Sequence, residues 1–281
     1  MDAPPHTRPG TPPKSTVTGI DCHAHVVRRD APLAPSRHST PAVDATAHDL
    51  LRRLDEAGLS HAMLTAPSFY GDDNSLLLTA LKIGRGRFIG TAQVSASTTN
   101  DQLSQLASAG ICGIRLNWWQ MSDRPDPSDE NYTQLFKNAA ALGLHVEVLV
   151  EPSMLPLMAS PILAAGATLV VDHFGLVGDL RSPDGRALLS ILNSGQAWVK
   201  LSAPYRLVEP RCGSSLARQL YDHRGDRVLW GSDWPWVSHE HENFDYSETL
   251  AQIDDWFPDP AQREAVLISN PAALLSTYLP A

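Results

Sequence analysis

The sequence has few cysteines, no long apolar run and no glycine-rich nucleotide-binding motif. Its three cysteines, with no C-x-x-C spacing, predict neither a disulfide framework nor a thiolate zinc site. No stretch approaches the roughly 20 apolar residues that span a bilayer, so we expect no membrane contact. Neither a P-loop nor a G-x-G-x-x-G segment follows the first apolar run. Acidic residues outnumber basic ones, 31 to 22, and the net charge of -9 argues against nucleic acid as a partner.

Proline is frequent at the N-terminus, where the chain also lacks the apolar core of a secretory signal peptide. We predict that residues 1–18 form a disordered, proline-rich tail. Residues 19–281 are long enough for one large α/β domain, and a hydrophobic fraction of 43% is ordinary for a globular protein. Cytoplasmic residence is the default expectation for such a chain.

Short apolar runs alternate with amphipathic, helix-like segments along nearly the whole domain. The eight predicted strands are Gly19–Val27, His61–Ala66, Phe88–Val94, Gly113–Asn117, His145–Val150, Thr168–His173, Ala197–Ser202 and Arg227–Asp233. A strand–helix rhythm predicts a parallel sheet, and eight repeats in a chain of this length predict a single-domain (β/α)8 barrel, the TIM-barrel fold. A doubly wound open sheet is the alternative.

A barrel of this kind carries its chemistry at the carboxyl ends of its strands. The unusual polar residues of this sequence lie at those predicted ends. They are His23, His25, Ser68, Arg115, Asn117, Asp172, His173, Ser202, Tyr205, Arg206, Ser232 and Asp233. We therefore expect their side chains to gather at one mouth of the barrel.

His23 and His25 form the strongest single motif. Alternate residues of a strand face the same way, so the two imidazoles project to one side. Buried there, they need a metal, a carboxylate or a polarised substrate as a partner. With His173 and Asp233 at other strand ends, the H-x-H spacing indicates a functional site and not two satisfied core histidines.

Asp233 lies in the segment Trp230-Gly231-Ser232-Asp233-Trp234-Pro235. It could cap a loop before a proline turn. A buried carboxylate at the mouth of a barrel needs a partner, however, and the histidines are the natural ones. A carboxylate in that position can activate water as a general base.

Arg115 lies inside an apolar strand, where an arginine is rare unless it is paired. Two interpretations stay open: an ion pair with an inner carboxylate such as Asp21 or Glu147, and a bidentate clamp for a substrate carboxylate. Arg206 has the same two interpretations. His239, in a polar loop with His241, is interpreted as part of a solvated segment.

The D-x-H-x-H segment and the W-G-S-D-W-P segment resemble the amidohydrolase superfamily, in its amidohydrolase-related branch. Within that branch the sequence is most similar to the 2-pyrone-4,6-dicarboxylate lactonases and related sugar lactonases. Other matching segments are Ser68–Asn74, Gly113–Asn117, Val171–Gly175 and Lys200–Arg206, and the pattern runs from about residue 19 to 275.

The resemblance implies a hydrolase of aromatic catabolism that opens a carboxylated lactone, either pyrone-dicarboxylate-like or derived from a sugar. Asp233 would be the general base, and three histidines would surround the scissile carbonyl: His23, His25 and His173. The resemblance also implies four substrate contacts: Arg115, Arg206, Ser68 and Tyr205. Of these four contacts only Arg115 and Arg206 are cationic, and Arg124 is one further arginine that could reach the substrate. We therefore expect a substrate with fewer anionic groups than the pyrone dicarboxylate, or with a larger apolar part.

The resemblance favours catalysis with no required metal or other cofactor. A two-metal site is not expected, because the fourth and fifth strands end in Arg115 and Glu151 where a His or Lys ligand would stand. A single divalent zinc is the alternative, with the ligands His23, His25, His173 and Asp233. Two other functions stay open: a zinc-dependent decarboxylase of an aromatic or muconate-type acid, and a non-catalytic ligand-binding barrel. A homodimer is also left open.

Overall fold

The computed structural model describes residues 16–35, 37 and 39–279. Its framework is eight strands: β1 (Ile20–Ala24), β2 (His61–Thr65), β3 (Phe88–Gln93), β4 (Ile111–Asn117), β5 (His145–Leu149), β6 (Leu169–Val171), β7 (Ala197–Leu201) and β8 (Val228–Trp230). Each strand pairs in parallel with the next one along the chain. The prediction of a single-domain (β/α)8 barrel is confirmed.

Helices alternate with the strands and cover the outside of the barrel. They are α1 (Ala47–Ala57), α2 (Ser75–Gly84), α3 (Asn100–Ser108), α4 (Glu130–Ala141), α5 (Leu155–Ala164), α6 (Pro183–Leu192), α7 (Gly213–Arg224), α8 (Tyr246–Trp256), α9 (Pro260–Glu264) and α10 (Asn270–Leu274). Several begin at sequence-encoded caps, such as the reciprocal Thr46–Asp49 hydrogen bonds before α1. Across the described ranges, no helix combines the length and apolarity that crossing a bilayer requires.

The lower part of the barrel interior is apolar. A buried cluster fills it: Ile20, Cys22, Met63, Ile89, Cys112, Val170, Trp198, Leu229 and Leu275. Because side chains two apart on a strand share a face, Thr65, Asp172 and Lys200 point into the same interior, one step nearer the carboxyl ends. The interior therefore changes from apolar to charged toward the mouth.

Most of the predicted tail, residues 1–18, is not described, because residues 1–15 lie outside the described residues. Thr18, at its end, is bonded to the barrel: its amide donates to Ser60 Oγ at 3.0 Å and its hydroxyl donates to the Gly58 carbonyl at 2.8 Å.

The first and last strands close the barrel through a short seam. One bridge joins Ala24 to Trp234, and the buried Asp21 carboxylate accepts hydrogen bonds from Ser232 N at 2.9 Å and Ser232 Oγ at 2.6 Å. Tyr246 of α8 donates a further hydrogen bond to Asp21 at 2.9 Å. Asp21 thus belongs to the seam. It does not pair with Arg115, although it was one of the two carboxylates that the sequence offered as a partner for that arginine.

Close approach at the seam requires glycine at position 231. A Cβ atom there would lie 2.5 Å from His23 Cβ and 2.8 Å from His23 N. Beside it, Asp233 N donates to the His23 carbonyl at 2.8 Å, and His25 N donates to the Trp234 carbonyl at 2.7 Å. The seam therefore fixes three of the predicted site residues relative to one another.

Candidate active site

The carboxylate of Asp233 lies among the three predicted histidines at the mouth of the barrel. Its Oδ1 atom is 3.2 Å from His25 Nε2, 3.3 Å from His23 Nε2 and 4.0 Å from His173 Nε2. All four side chains are buried. The structure thus brings together the four residues that the sequence assigned to one site.

Two of these residues occupy strained backbone. Asp233 has φ +57° and His173 has φ +50°, in the left-handed region that favours glycine. Such a conformation costs a non-glycine residue on the order of 1 kcal/mol and persists where the surroundings fix it. The fold therefore holds both side chains in one orientation at some cost in stability.

The other carboxylate oxygen of Asp233 is held by the segment after β7. The Tyr205 hydroxyl donates to Asp233 Oδ2, and Arg206 Nε donates to the same atom at 3.1 Å. A second Arg206 nitrogen donates to the Val237 carbonyl at 2.8 Å. Tyr205 and Arg206 therefore orient the carboxylate, and their role as substrate contacts stays a prediction.

Asp233 is ionised in this setting. Burial raises its pKa, but the Arg206 guanidinium and the hydrogen bond from His23 lower it by more, so the net pKa lies well below the ordinary value. Burial also holds the pKa of His173 well below its ordinary value. His173 Nδ1 lies 2.8 Å from Ser202 Oγ, a hydroxyl that can accept or donate. His173 is therefore neutral and can carry its proton on Nε2, toward the cavity.

His25 has the opposite tautomer. Its Nδ1 lies 2.7 Å from the Thr65 carbonyl, which can only accept, so Nδ1 carries the hydrogen. Burial lowers the pKa of His25, so the ring is neutral and its Nε2 atom presents a lone pair. That lone pair faces Asp233 Oδ1. Two acceptors in contact are favourable only when a proton donor or a cation lies against both.

A charged layer of four residues lies directly below the histidines: Arg115, Glu147, Asp172 and Lys200, all buried. Lys200 Nζ donates to Glu147 Oε2 and lies 3.4 Å from Asp172 Oδ1. Arg115 contacts Asp172 Oδ2 at 2.9 Å and Glu147 Oε1 at 3.3 Å. Two cations and two anions balance, which buried charges require.

The charged layer contacts the site through His23. Its Nδ1 lies 3.2 Å from Asp172 Oδ1 and 3.1 Å from Lys200 Nζ. Burial and Lys200 lower the pKa of His23, but Asp172 and Asp233 raise it more, so the net pKa is above the ordinary value. His23 is therefore the best placed of the three rings to act as a proton-bearing donor.

The contacts of Arg115, Arg124 and His239 can now be compared with what the sequence predicted for them. The ion-pair interpretation of Arg115 with Glu147 is confirmed, and Asp172 is an added partner. Arg124 pairs with Glu151 and lines neither cavity at the mouth. His239 is half-buried in a largely exposed loop, where it lines the inner cavity and packs against Tyr205 at 4.7 Å between ring centroids.

Two adjoining cavities open above the site. The inner cavity has a volume of about 240 Å³ and is lined by Asp233, His25 and His173. The outer cavity, about 540 Å³, shares Ser68, Asn117 and Gln120 with it. Asn117 Nδ2 donates to Ser68 Oγ at 3.2 Å, so the predicted contact Ser68 lies on the wall between the two cavities.

The donor set fits one divalent cation. One ring nitrogen each of His23 and His173 and a carboxylate oxygen of Asp233 lie within 4.8 Å of one another, and the neutral Nε2 of His25 adds a lone pair 3.2 Å from Asp233 Oδ1. Three imidazoles and one carboxylate are ligands that zinc accepts. A second group, formed by His23 with the carboxylates of the charged layer, fits poorly because Lys200 and Arg115 already occupy those oxygens.

The fold and the site together define a barrel hydrolase whose histidine and aspartate side chains converge at the carboxyl ends of the strands. The chain belongs to the amidohydrolase family, whose model matches residues 20–277. This match confirms the resemblance drawn from the sequence motifs.

Individual relatives match over nearly the whole chain. A 2-pyrone-4,6-dicarboxylate hydrolase from Comamonas testosteroni is 30% identical, covering 91% of this chain and 89% of that protein. A 4-sulfomuconolactone hydrolase from Hydrogenophaga intermedia is 26% identical, covering 90% and 87%. A Pseudomonas putida crystal structure, described as a 2-pyrone-4,6-dicarboxylic acid hydrolase, has a TM-score of 0.85 and 33% identity, covering 95% of this chain and 100% of that one.

Proposed function

We propose that this protein hydrolyses a carboxylated lactone, with Asp233 as the general base for the attacking water. The observation that carries the proposal is the convergence of three imidazole nitrogens on one oxygen of an ionised, buried carboxylate. The family and its relatives identify an enzyme that acts on cyclic esters. The names of the relatives support a lactone that carries acidic groups.

The attacking water is placed by Asp233 and His25. Water can donate one hydrogen to Asp233 Oδ1 and the other to His25 Nε2, which satisfies both facing acceptors. Asp233 then takes the first proton as hydroxide adds to the lactone carbonyl. This role differs from the expected one, in which His25 polarises the carbonyl, because its Nδ1–H is already donated to Thr65.

The oxyanion that forms is stabilised by His173, which lines the inner cavity and can carry a proton on Nε2, and by His23, whose Nε2 lies 3.3 Å from Asp233 Oδ1. Preorganised donors of this kind contribute about 3 kcal/mol each to the transition state. When the ring C–O bond breaks, the proton held by Asp233 passes to the leaving enol or alkoxide oxygen. The product is the ring-opened hydroxy acid or its keto tautomer.

A divalent cation would be held by His23, His173, Asp233 and the lone pair of His25. Bound there, it would polarise the carbonyl and lower the pKa of water. The roles of Tyr205 and Arg206 are the same in either case, since both orient Asp233 Oδ2 from the far side.

The substitution Asp233→Asn tests the proposal. An amide cannot accept the water proton, so turnover of a panel of lactones should fall by at least 1,000-fold, on the order of the losses seen when a catalytic base is removed. Asp222→Asn, the same change at an exposed position of α7, is the matched control. Circular dichroism and thermal unfolding establish that the variant is folded. Lactonase activity near that of the control would reject Asp233 as the base.

A further inference from the structure

We propose that Ser202 is a positioning residue that fixes which ring nitrogen of His173 carries the proton. The Ser202 hydroxyl donates to Nδ1, so the proton of the neutral ring is held on Nε2, the nitrogen nearer Asp233. This inference rests on the proposed function and deepens it, because it assigns the group that makes His173 an oxyanion donor. Ser202 acts only through His173, since it lines neither cavity at the mouth.

The hydrogen-bonding needs of the Ser202 hydroxyl carry the assignment. Ser202 follows β7 directly and is 1% exposed. Its Oγ lies 2.8 Å from His173 Nδ1 and makes no other hydrogen bond to the residues that the structure describes. If Nδ1 carried the proton, Oγ would have to accept it, and the hydroxyl hydrogen would be buried without an acceptor, which is unfavourable. Donation from Oγ to a lone pair on Nδ1 satisfies both groups.

The surroundings of the other ring nitrogen favour the same tautomer. His173 Nε2 lies 4.0 Å from Oδ1 of the ionised Asp233, an oxygen that attracts an N–H group and repels a lone pair. At 4.0 Å the contact is too long for a hydrogen bond, so the N–H remains available to a further acceptor. Because His173 lines the inner cavity, that acceptor can be an oxygen of the bound lactone.

Ser202 and Thr65 have opposite effects on two of the three imidazoles. The Thr65 carbonyl can only accept, so it holds the proton of His25 on Nδ1 and leaves a lone pair on Nε2. The Ser202 hydroxyl donates, so His173 has the reverse arrangement. Both rings line the inner cavity. One ring can therefore accept a hydrogen from the attacking water while the other donates to the oxyanion, which are the two roles that the proposed hydrolysis requires.

Nitrogen-15 NMR of the histidine side chains in the purified protein tests the tautomer without an activity measurement. Long-range proton–nitrogen correlation spectra distinguish the two neutral tautomers, and the spectrum of His173→Gln identifies the His173 signals by their loss. We expect Nε2 to carry the proton and Nδ1 to carry none. The reverse pattern, which coordination of a cation by Nε2 would also need, would overturn the inference, and so would protonation of both nitrogens.

The kinetic arm compares Ser202→Ala, which removes the donor, with Ser202→Thr, which keeps it. Complete loss of an oxyanion donor costs about 100- to 1,000-fold in kcat, so loss of its positioning group should cost Ser202→Ala at least about tenfold. KM should change by less than about threefold, because the donor acts mainly in the transition state. Ser202→Thr should retain most of the wild-type kcat. Ser190→Ala, at an exposed position of α6, is the matched control.

A rise in KM alone for Ser202→Ala, or an equal loss of kcat in Ser202→Thr, would overturn the positioning role. Circular dichroism establishes that each variant is folded, and the wild-type spectrum decides the tautomer if Ser202→Ala does not fold. These results are separable from the test of the proposed function. Full activity of Asp233→Asn would reject the general base and leave the tautomer of His173 standing. The reverse tautomer in a protein that hydrolyses lactones would overturn only the role of Ser202.

Discussion

Removing one cation from the charged layer should destabilise the barrel by a measurable amount. Lys200→Met keeps the unbranched stem of the side chain and deletes the ammonium, which is wholly buried. Glu147 and Asp172 are then left with Arg115 alone, so one buried negative charge has no partner. Breaking a buried ion pair from one side costs about 3–5 kcal/mol. A domain of ordinary stability unfolds with a free energy of about 5–15 kcal/mol, so we expect the variant to fold with a much smaller free energy of unfolding.

A double-mutant cycle separates this charge effect from lost packing. Glu147→Gln alone leaves an excess positive charge, whereas Lys200→Met with Glu147→Gln restores the balance between Arg115 and Asp172. We expect the double variant to be at least about 1–2 kcal/mol more stable than the sum of the single losses predicts. Urea unfolding followed by circular dichroism measures all four free energies. Strictly additive losses would refute the balanced-layer argument.

The pH dependence of stability gives a further check on the same pair. Burial and Asp172 raise the pKa of Glu147, but Lys200 and its other partners lower it more, so the net pKa is below the ordinary 4.5. A depressed folded-state pKa contributes stability above the unfolded value that is lost as pH falls through the folded one. The free energy of unfolding should therefore decline below about pH 4.5 in the wild type, and decline less in Lys200→Met.

Three other predictions concern the seam, the carboxylate and the metal question. Gly231→Ala should cost about 1–3 kcal/mol of unfolding free energy and most activity, since its Cβ would meet His23 at 2.5 Å; Gly178→Ala, with open space around it, is the matched control. Tyr205→Phe removes a hydrogen-bond donor to the Asp233 carboxylate, which should raise the pKa of Asp233 and move the acid limb of the kcat/KM pH profile to higher pH. If the acid limb does not move, it does not report the ionisation of Asp233. We expect protein dialysed against a chelator to keep its lactonase activity; stoichiometric zinc in elemental analysis, with activity lost on its removal, would contradict this.

The strands and the location of the site could be predicted from the sequence because both depend on local patterns. Apolar runs separated by helix-like segments define the barrel, and a barrel places the strand ends together whatever the loops do. His23, His25, His173 and Asp233 are each adjacent to such an end. Their convergence therefore followed from strand order alone, without any knowledge of side-chain contacts.

Apart from Glu147 as a partner of Arg115, the partners of the cations could not be predicted in the same way. Arg115 on β4 pairs with Asp172 after β6, and Glu147 on β5 pairs with Lys200 on β7, so both contacts cross the interior between strands that are not neighbours. Which inner residues lie at one height depends on the stagger of the strands, which the sequence pattern does not encode. A charged residue two positions after an inward apolar one, as Lys200 follows Trp198, was the available signal.

The contact between His25 and Asp233 limits what the resting site can contain. The neutral imidazole and the ionised carboxylate present lone pairs to each other at 3.2 Å, and Thr65 prevents the ring from exchanging its tautomer without losing a buried hydrogen bond. A species that satisfies both lone pairs must be a proton donor or a cation. In the proposed mechanism, a water molecule that donates to both would be the nucleophile for lactone hydrolysis. His25→Gln should therefore impair water positioning and lower kcat more than it raises KM, whereas a change in KM alone would place His25 in substrate binding instead.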